Sequence, residues 1–289
     1  MSSIVFWLCF SMAMVVGDAP VGSAFPVMPA LPASDVLAGE ELLQRFFDAW
    51  AQVRSVSYRL HKVERMRDGE VVREAVDVKL RKPLAVYAAA ILPRRGQELI
   101  YDQQVNADEL VVHPGHFPDI TLRLDIHGGL ATKRQHHTIE HSGFDYLIWA
   151  LRRAPAKVSF TGESTLFGRP VQRLLVEANQ VGTRWQHARD GETLFMFAQR
   201  VGMDAYYIYY HNPRMDGLNH ILDDEPYSVP LAYGTKTEII LDARFHIPVQ
   251  ISVWDEEGRL YEQLQWTRVT LNPRLTDATF DPENPAYNF

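Results

Sequence analysis

Alternation of apolar and polar residues dominates this chain, broken in a few places by helical spacing. Leu42, Leu43, Phe46, Phe47, Trp50 and Val53 fall on one stripe at intervals of three and four. That spacing predicts an amphipathic helix, with Ser34 or Asp35 placed to cap it. Val56, Tyr58 and Leu60, and then Val76, Val78 and Leu80, alternate with polar neighbours and predict two strands joined by a hairpin at Asp68 and Gly69. Lys82 and Pro83 break the run, and further strand patterns occupy 84–91, 98–101, 109–113 and 120–124. Connections this short join antiparallel neighbours, so these strands form a meander. Phe144, Leu147, Ile148 and Leu151 predict a second amphipathic helix over 139–151. Strands resume at 157–162, 170–178, 235–241, 248–254 and 260–269, the last two joined by a turn over 255–258. A long antiparallel sheet with one face to bury and few helices to bury it curves around them, an α+β architecture.

The segment 184–231 departs from this pattern. After a short extended piece and a turn at Asp190, Gly191 and Glu192, Leu194, Phe197, Ala198 and Val201 share a helical face that Gly202 stops. Asp204 is placed to cap a second helix carrying Tyr207, Ile208 and His211, which Asn212 and Pro213 end. An extended stretch at 227–230 follows, giving strand, helix, helix, strand.

The run Gly191-Glu192-Thr193-Leu194-Phe195, followed by Ala198, by Asn212-Pro213, by Ile221 and by Val229-Pro230, resembles the LysM module. That family binds N-acetylglucosamine glycans such as peptidoglycan in a shallow groove between two loops. The resemblance implies one wall from Asp190, Gly191, Glu192, Thr193 and Leu194, and a second from Asn212, Pro213, Leu218, Asn219, His220 and Ile221. The chain departs from the family pattern at Ala188, at Asp224 and Glu225, and at Pro226.

The remaining layout, 35–183 plus 232–289, resembles the LolA/LolB-type lipoprotein carriers, an open half-barrel plugged by helices. The resemblance implies a cavity able to accept acyl chains. The run Gly96 to Tyr101, the His113-Pro114-Gly115 turn, Leu271-Asn272-Pro273, and the Asp281-Pro282 and Asn284-Pro285 pairs are similar to a family of exported bacterial domains with no assigned function. Phe46, Trp50, Ile148 and Leu151 are expected to fill the interior, with Trp149 and Trp266 as further core plugs.

Composition narrows the function classes. A net charge of −7 over 289 residues, with no basic cluster, speaks against nucleic acid as a partner. Residues 4–17 form an apolar run too short to span a bilayer comfortably, and Gly22, Ser23 and Ala24 offer a signal-peptidase site. Residues 1–24 are therefore expected to be a secretory signal peptide, or an uncleaved anchor because Lys and Arg are missing ahead of the run. A Pro-rich linker covers 25–34. The single cysteine, Cys9, lies in the apolar run, so a mature chain would carry no disulfide and no cysteine nucleophile.

His137, Glu140 and His141 match H-x-x-E-H, the inverted zinc-protease spacing. Ser142 and Gly143 follow at once, the chain is short for that architecture, and no later helix offers a third carboxylate. A non-catalytic site joining His113, His116 or His127 to this cluster is a further metal reading. The expectation is that these histidines cap helix ends and bond loop carbonyls, leaving no catalytic residue, no metal and no cofactor. Asp223, Asp224 and Glu225 are adjacent rather than opposed, so they make no glycosidase pair. The sequence thus predicts a non-enzymatic periplasmic protein that binds peptidoglycan or a related glycan through the LysM-like insert, and a lipid or lipoprotein in the half-barrel. The alternatives are a metal-dependent hydrolase using His137, Glu140 and His141, with a metal on His137 and His141, and a structural envelope scaffold with a protein partner.

Overall fold

The computed structural model describes residues 33–117, 119–153 and 156–289. The expected signal peptide and residues 25–32 of the expected linker lie outside them. The linker's last two positions do not: α1 (Ala33–Ala51) already includes Ala33 and Ser34, so Ser34 and Asp35 lie inside the helix and not at its cap.

Six strands follow as a meander: β1 (Ser55–Arg65), β2 (Val71–Arg81), β3 (Ala85–Leu92), β4 (Glu98–Asp102), β5 (Glu109–His113) and β6 (Leu122–Asp125). The predicted helix over 139–151 is two pieces, a single 3-10 turn at Ile139–His141 and α2 (Asp145–Arg153). The break lies at Gly143, whose φ of +81° suits glycine, and where a Cβ would meet Leu80 and Trp50 side-chain carbons at 3.2 Å. After α2 come β7 (Ala156–Leu166), β8 (Arg169–Ala178) and β9 (Thr183–His187). Two helices, α3 (Leu194–Val201) and α4 (Ala205–Tyr210), lead into β10 (Pro226–Pro230). The chain ends with β11 (Lys236–Asp242), β12 (Pro248–Trp254) and β13 (Leu260–Leu271).

All but β9 and β10 belong to one 11-stranded sheet in the order β6-β5-β4-β3-β2-β1-β13-β12-β11-β8-β7. The meander therefore covers β1 to β6, and the sheet is completed nonlocally, with β13 antiparallel to β1 and β8 antiparallel to β11. Register shifts in the pairs of β1, β2, β7, β11 and β12 bend the strands, as an extra residue on one side of a ladder does. On the helix-bearing face, Trp50 of α1 meets Phe144 edge-on at 5.0 Å, and Phe144 lies 4.8 Å from Trp266 of β13. Gly39 lets α1 approach β7: a Cβ there would stand 2.8 Å from the backbone of Ser159 and Phe160. On the opposite face the C-terminal tail covers β3, and Tyr287 stacks on Tyr87 at 4.1 Å.

β9 and β10 form their own antiparallel pair, so 183–230 is the strand-helix-helix-strand unit that the sequence predicts. Its interior does not stand apart. Leu194, Phe197, Tyr207, Ile208 and Leu222 belong to the same buried cluster as Phe46, Trp50 and Trp266. Contacts at several points lock the unit to the rest of the chain. Arg67, in the β1–β2 hairpin, donates to the carbonyls of Tyr209, Asn212 and Met215 and lies over the Tyr209 ring. His211 bonds Glu256 in the β12–β13 hairpin at 3.1 Å. Phe195 stacks on His127 at 4.1 Å.

Candidate functional site

Two cavities lie under the helix-bearing face. The larger, about 220 Å³, is lined by inward residues of β1 to β6, among them Leu60, Val78, Val86, Ala88 and Val112. The smaller, about 100 Å³, lies between α2 and the far strands and is lined by Leu147, Leu151, Val176, Val253 and Thr237. Phe46 and Trp50 do fill the interior as expected, at 0% and 1% exposure. Leu151, expected as filler, is a cavity wall. Both cavities touch His137, His141, Gly143, Leu264 and Trp266, so one short segment and one strand stand between them.

At that boundary sits a polar cluster. His137 and His141 come from the segment after β6, Asp204 from the start of α4, Glu262 from β13 and Tyr146 from α2. Asp204 caps α4 as its type predicts, its Oδ1 accepting from the Tyr207 amide at 2.9 Å. Its other oxygen leaves the helix, accepting from the Tyr146 hydroxyl at 3.0 Å and standing 3.6 Å from His137 Nδ1 and 3.9 Å from His141 Nδ1. The last two distances are too long for hydrogen bonds. His137 Nε2 lies 2.9 Å from Glu262 Oε2, which His136 Nδ1 also reaches at 3.2 Å. His136 is held between the Tyr206 and Tyr261 rings at 4.5 and 4.2 Å.

Burial opposes charge throughout this cluster, and the pairing overrides it selectively. His137 is raised well above its ordinary value, because Glu262 and Asp204 outweigh desolvation. Glu262 and Asp204 are lowered in turn, burial again being overcome by the histidines. His141 goes the other way: burial, reinforced by the charge of His137, pushes it down to about 4, which leaves a neutral imidazole at neutral pH. The site can therefore hold charge in an apolar setting, and it presents both a cation and an uncharged nitrogen ligand.

The structure reassigns several predicted residues. Glu140, expected between two imidazoles in the hydrolase reading, turns to His127 at 2.7 Å, and Asp204 occupies the place opposite His137 and His141. Nor do the histidines mainly cap helix ends. His116 and His136 do bond the Phe117 and Arg65 carbonyls, but His113, His127 and His137 pair with Asp119, Glu140 and Glu262. His113, His116 and His127 do not join the cluster around Asp204.

Of the predicted glycan walls, Glu192, Leu194, Asn212 and Leu218 are buried. Glu192 is clasped by Arg200, Thr193 caps α3 by accepting from Met196 N at 3.2 Å, and the Asn212 amide bonds Ile208 and both backbone groups of Ser228. The walls also meet, since Thr193 bridges Ile221 and the Gly191 amide donates to the Leu222 carbonyl at 3.2 Å. His220 bonds Asp216, and Asn219 donates to the His127 carbonyl, which ties the second wall to the segment after β6. Asp190, Gly191, Pro213, Asn219 and Ile221 remain exposed.

Sequence reasoning marks Asp204 only as a cap and misses Glu262, Tyr146 and Tyr233, whose hydroxyl lies 3.3 Å from His137 Nε2. A signal for Glu262 existed: it alternates with Leu264 and Trp266 on the buried side of its strand, where a carboxylate needs a partner.

Residues 53–225 and 224–289 match the model of a family described as "Protein of unknown function (DUF1571)", and the match runs through β9, α3 and α4. No curated protein matches the chain in sequence. Among solved structures, it is similar to the lipoprotein LppX of Mycobacterium tuberculosis, at 15% identity and a TM-score of 0.43, over 86% of this chain and 100% of that one. A LolA superfamily protein from Nitrosomonas europaea is 9% identical with a TM-score of 0.34, over 85% and 98%. The MucA/MucB complex of Pseudomonas aeruginosa gives 16% and 0.37, over 84% and 60%.

Proposed function

We propose, for a chain that belongs to the DUF1571 family, that it is an exported, non-enzymatic binding protein that takes the acyl chain of a lipid or lipoprotein into its half-barrel. The observation that carries this reading is the larger cavity, about 220 Å³, walled mainly by aliphatic side chains of six consecutive strands, with Lys62, Glu74 and Arg94 among its polar lining. An apolar cavity of about 150 Å³ already admits benzene and stays dry. Export rests on the apolar run and cleavage site at the N-terminus. Among the described residues no helix is long and apolar enough to cross a membrane.

Titration with a fluorescent fatty acid tests the reading. Wild type should bind saturably with one site per chain, and Ala88→Phe, which places a ring in the larger cavity, should weaken binding at least about tenfold. Absence of saturable binding, or equal binding by the filled variant, ends it.

A second reading, glycan anchoring through the LysM-like unit, is favoured by the βααβ order with its antiparallel β9–β10 pair and by the exposed turn at Asp190 and Gly191. Thr193 and Asn212 are poor probes because both hold the unit together. Ile221→Asp, at an exposed position, is the better one: wild type should sediment with peptidoglycan and the variant should not. Wild type left in the supernatant removes this reading.

A further inference from the structure

We infer that His137, His141 and Asp204 form a binding site for one divalent transition-metal ion, zinc by ligand type, at the boundary between the two cavities. One ligand atom from each of the three residues lies within 4.8 Å of the other two, and Oδ2 of Asp204 faces Nδ1 of both histidines. Tetrahedral zinc, with bonds of about 2.0–2.1 Å, sets its ligands roughly 3.3 Å apart. The separations from Asp204 Oδ2, 3.6 and 3.9 Å, are longer than that by roughly 0.3 and 0.6 Å, a gap that small side-chain rotations close.

Three further features point to a ligand at this position. Nδ1 of His137 and Nδ1 of His141 are both shut off from solvent, and neither finds a hydrogen-bond partner among the described residues. Two buried nitrogens aimed at one carboxylate oxygen, yet bonded to nothing, are costly without an occupant. The surroundings also orient the ligands as metal sites require. His137 Nε2 faces Glu262 Oε2 at 2.9 Å, the carboxylate–histidine arrangement that would keep the proton on Nε2 once an ion displaces the one on Nδ1. Asp204 is held in its rotamer by the Tyr207 amide and the Tyr146 hydroxyl. Finally, His137 and His141 line both cavities, so the cluster lies beside open space through which an ion could arrive. Two imidazoles and one carboxylate suit zinc, and copper or nickel by affinity, but not magnesium or calcium, which take oxygen ligands.

This inference stands apart from the proposed acyl-chain binding and rests on different atoms. Its two histidines are those of the sequence motif; Asp204 supplies the third ligand, and Glu140 has no part in the site.

Full-length protein stripped with EDTA and dialysed against zinc chloride, with metal counted by mass spectrometry, tests it. Wild type should retain one zinc per chain and no magnesium. His141→Ala should lose the zinc, and Glu262→Gln should weaken it by about tenfold to a hundredfold through the histidine it orients. His127→Ala, which alters a histidine outside the site, should leave the count unchanged. Zinc absent from wild type, or retained by a folded His141→Ala, overturns the proposal. Should His141→Ala fail to fold, X-ray absorption on zinc-loaded wild type decides instead. Scattering from two imidazoles supports the site, and a shell lacking them overturns it.

Discussion

The two helices between β9 and β10 begin alike and end up in opposite roles. Thr193 caps α3 and Asp204 caps α4, each accepting from an amide three residues on. Around Thr193 the interactions close on themselves: Glu192 binds Arg200 and Arg189 N within the same unit. Around Asp204 they open outward, to Tyr146, His137 and His141 in other parts of the chain. The first side is the predicted glycan wall and does local structural work. The second was read as a cap alone, and it completes the cluster between the cavities. A capping residue with one oxygen to spare can tie a compact unit to a distant site, which a hydroxyl occupied at its cap does not do here.

The largest effect should come from Asp204→Ala. It removes the cap and leaves charged His137 and the Tyr146 hydroxyl with one partner fewer in a buried setting. Breaking a buried pair of this kind costs about 3–5 kcal/mol, and urea unfolding in metal-free buffer measures it. Asp204→Asn, which can keep the cap to Tyr207, should cost less. If Asp204→Ala proves no worse than Thr193→Ala, the contrast between the two caps fails.

Asn212→Ala comes next. Its buried amide ties the end of α4 to Ser228 of β10, and each polar group left unsatisfied costs about 1–3 kcal/mol. Thermal or urea unfolding should show the loss, together with faster amide exchange at Ser228. Unchanged exchange there would mean that β10 is held by something else.

The sheet and the local signals of the insert were legible, and the cluster was not, for one physical reason. The α1 stripe, the hairpin at Asp68 and Gly69, the Gly202 stop and the Asp204 cap depend on neighbours a few residues apart. Helical spacing from Phe144 to Leu151 read back to Ile139 because periodicity is blind to the tight contact of Gly143 with Trp50. The meeting of His137 with Glu262 spans 125 positions and depends on β13 pairing with β1. No local pattern encodes that pairing. The H-x-x-E-H spacing drew attention to the right segment and to the wrong carboxylate.

Thr193→Ala should cost about 1 kcal/mol, the usual loss for a hydroxyl cap, and should leave zinc binding and fatty-acid binding unchanged. An effect on either would tie the outward side to the cavities and blur the comparison.

The smallest expected effect belongs to the His211–Glu256 pair, which docks the insert on the β12–β13 hairpin. Burial opposes the charge of His211, but its bonds to Glu256 and to the Tyr207 carbonyl prevail, so its pKa is raised above 6.5. Burial likewise opposes the charge of Glu256, and His211 lowers it below 4.5. The raised histidine stabilises fully below its ordinary value and loses that contribution as pH rises through the folded one. The lowered carboxylate stabilises above its ordinary value and loses it as pH falls. Both contributions are therefore present together between 4.5 and 6.5. Glu256→Gln should cost about 0.5–1 kcal/mol in that window, given the partial exposure of the pair. The gap from wild type should close as His211 deprotonates. A gap that persists at alkaline pH would assign the docking to the Tyr207 hydroxyl bond with Glu256 (3.2 Å) in place of the ion pair.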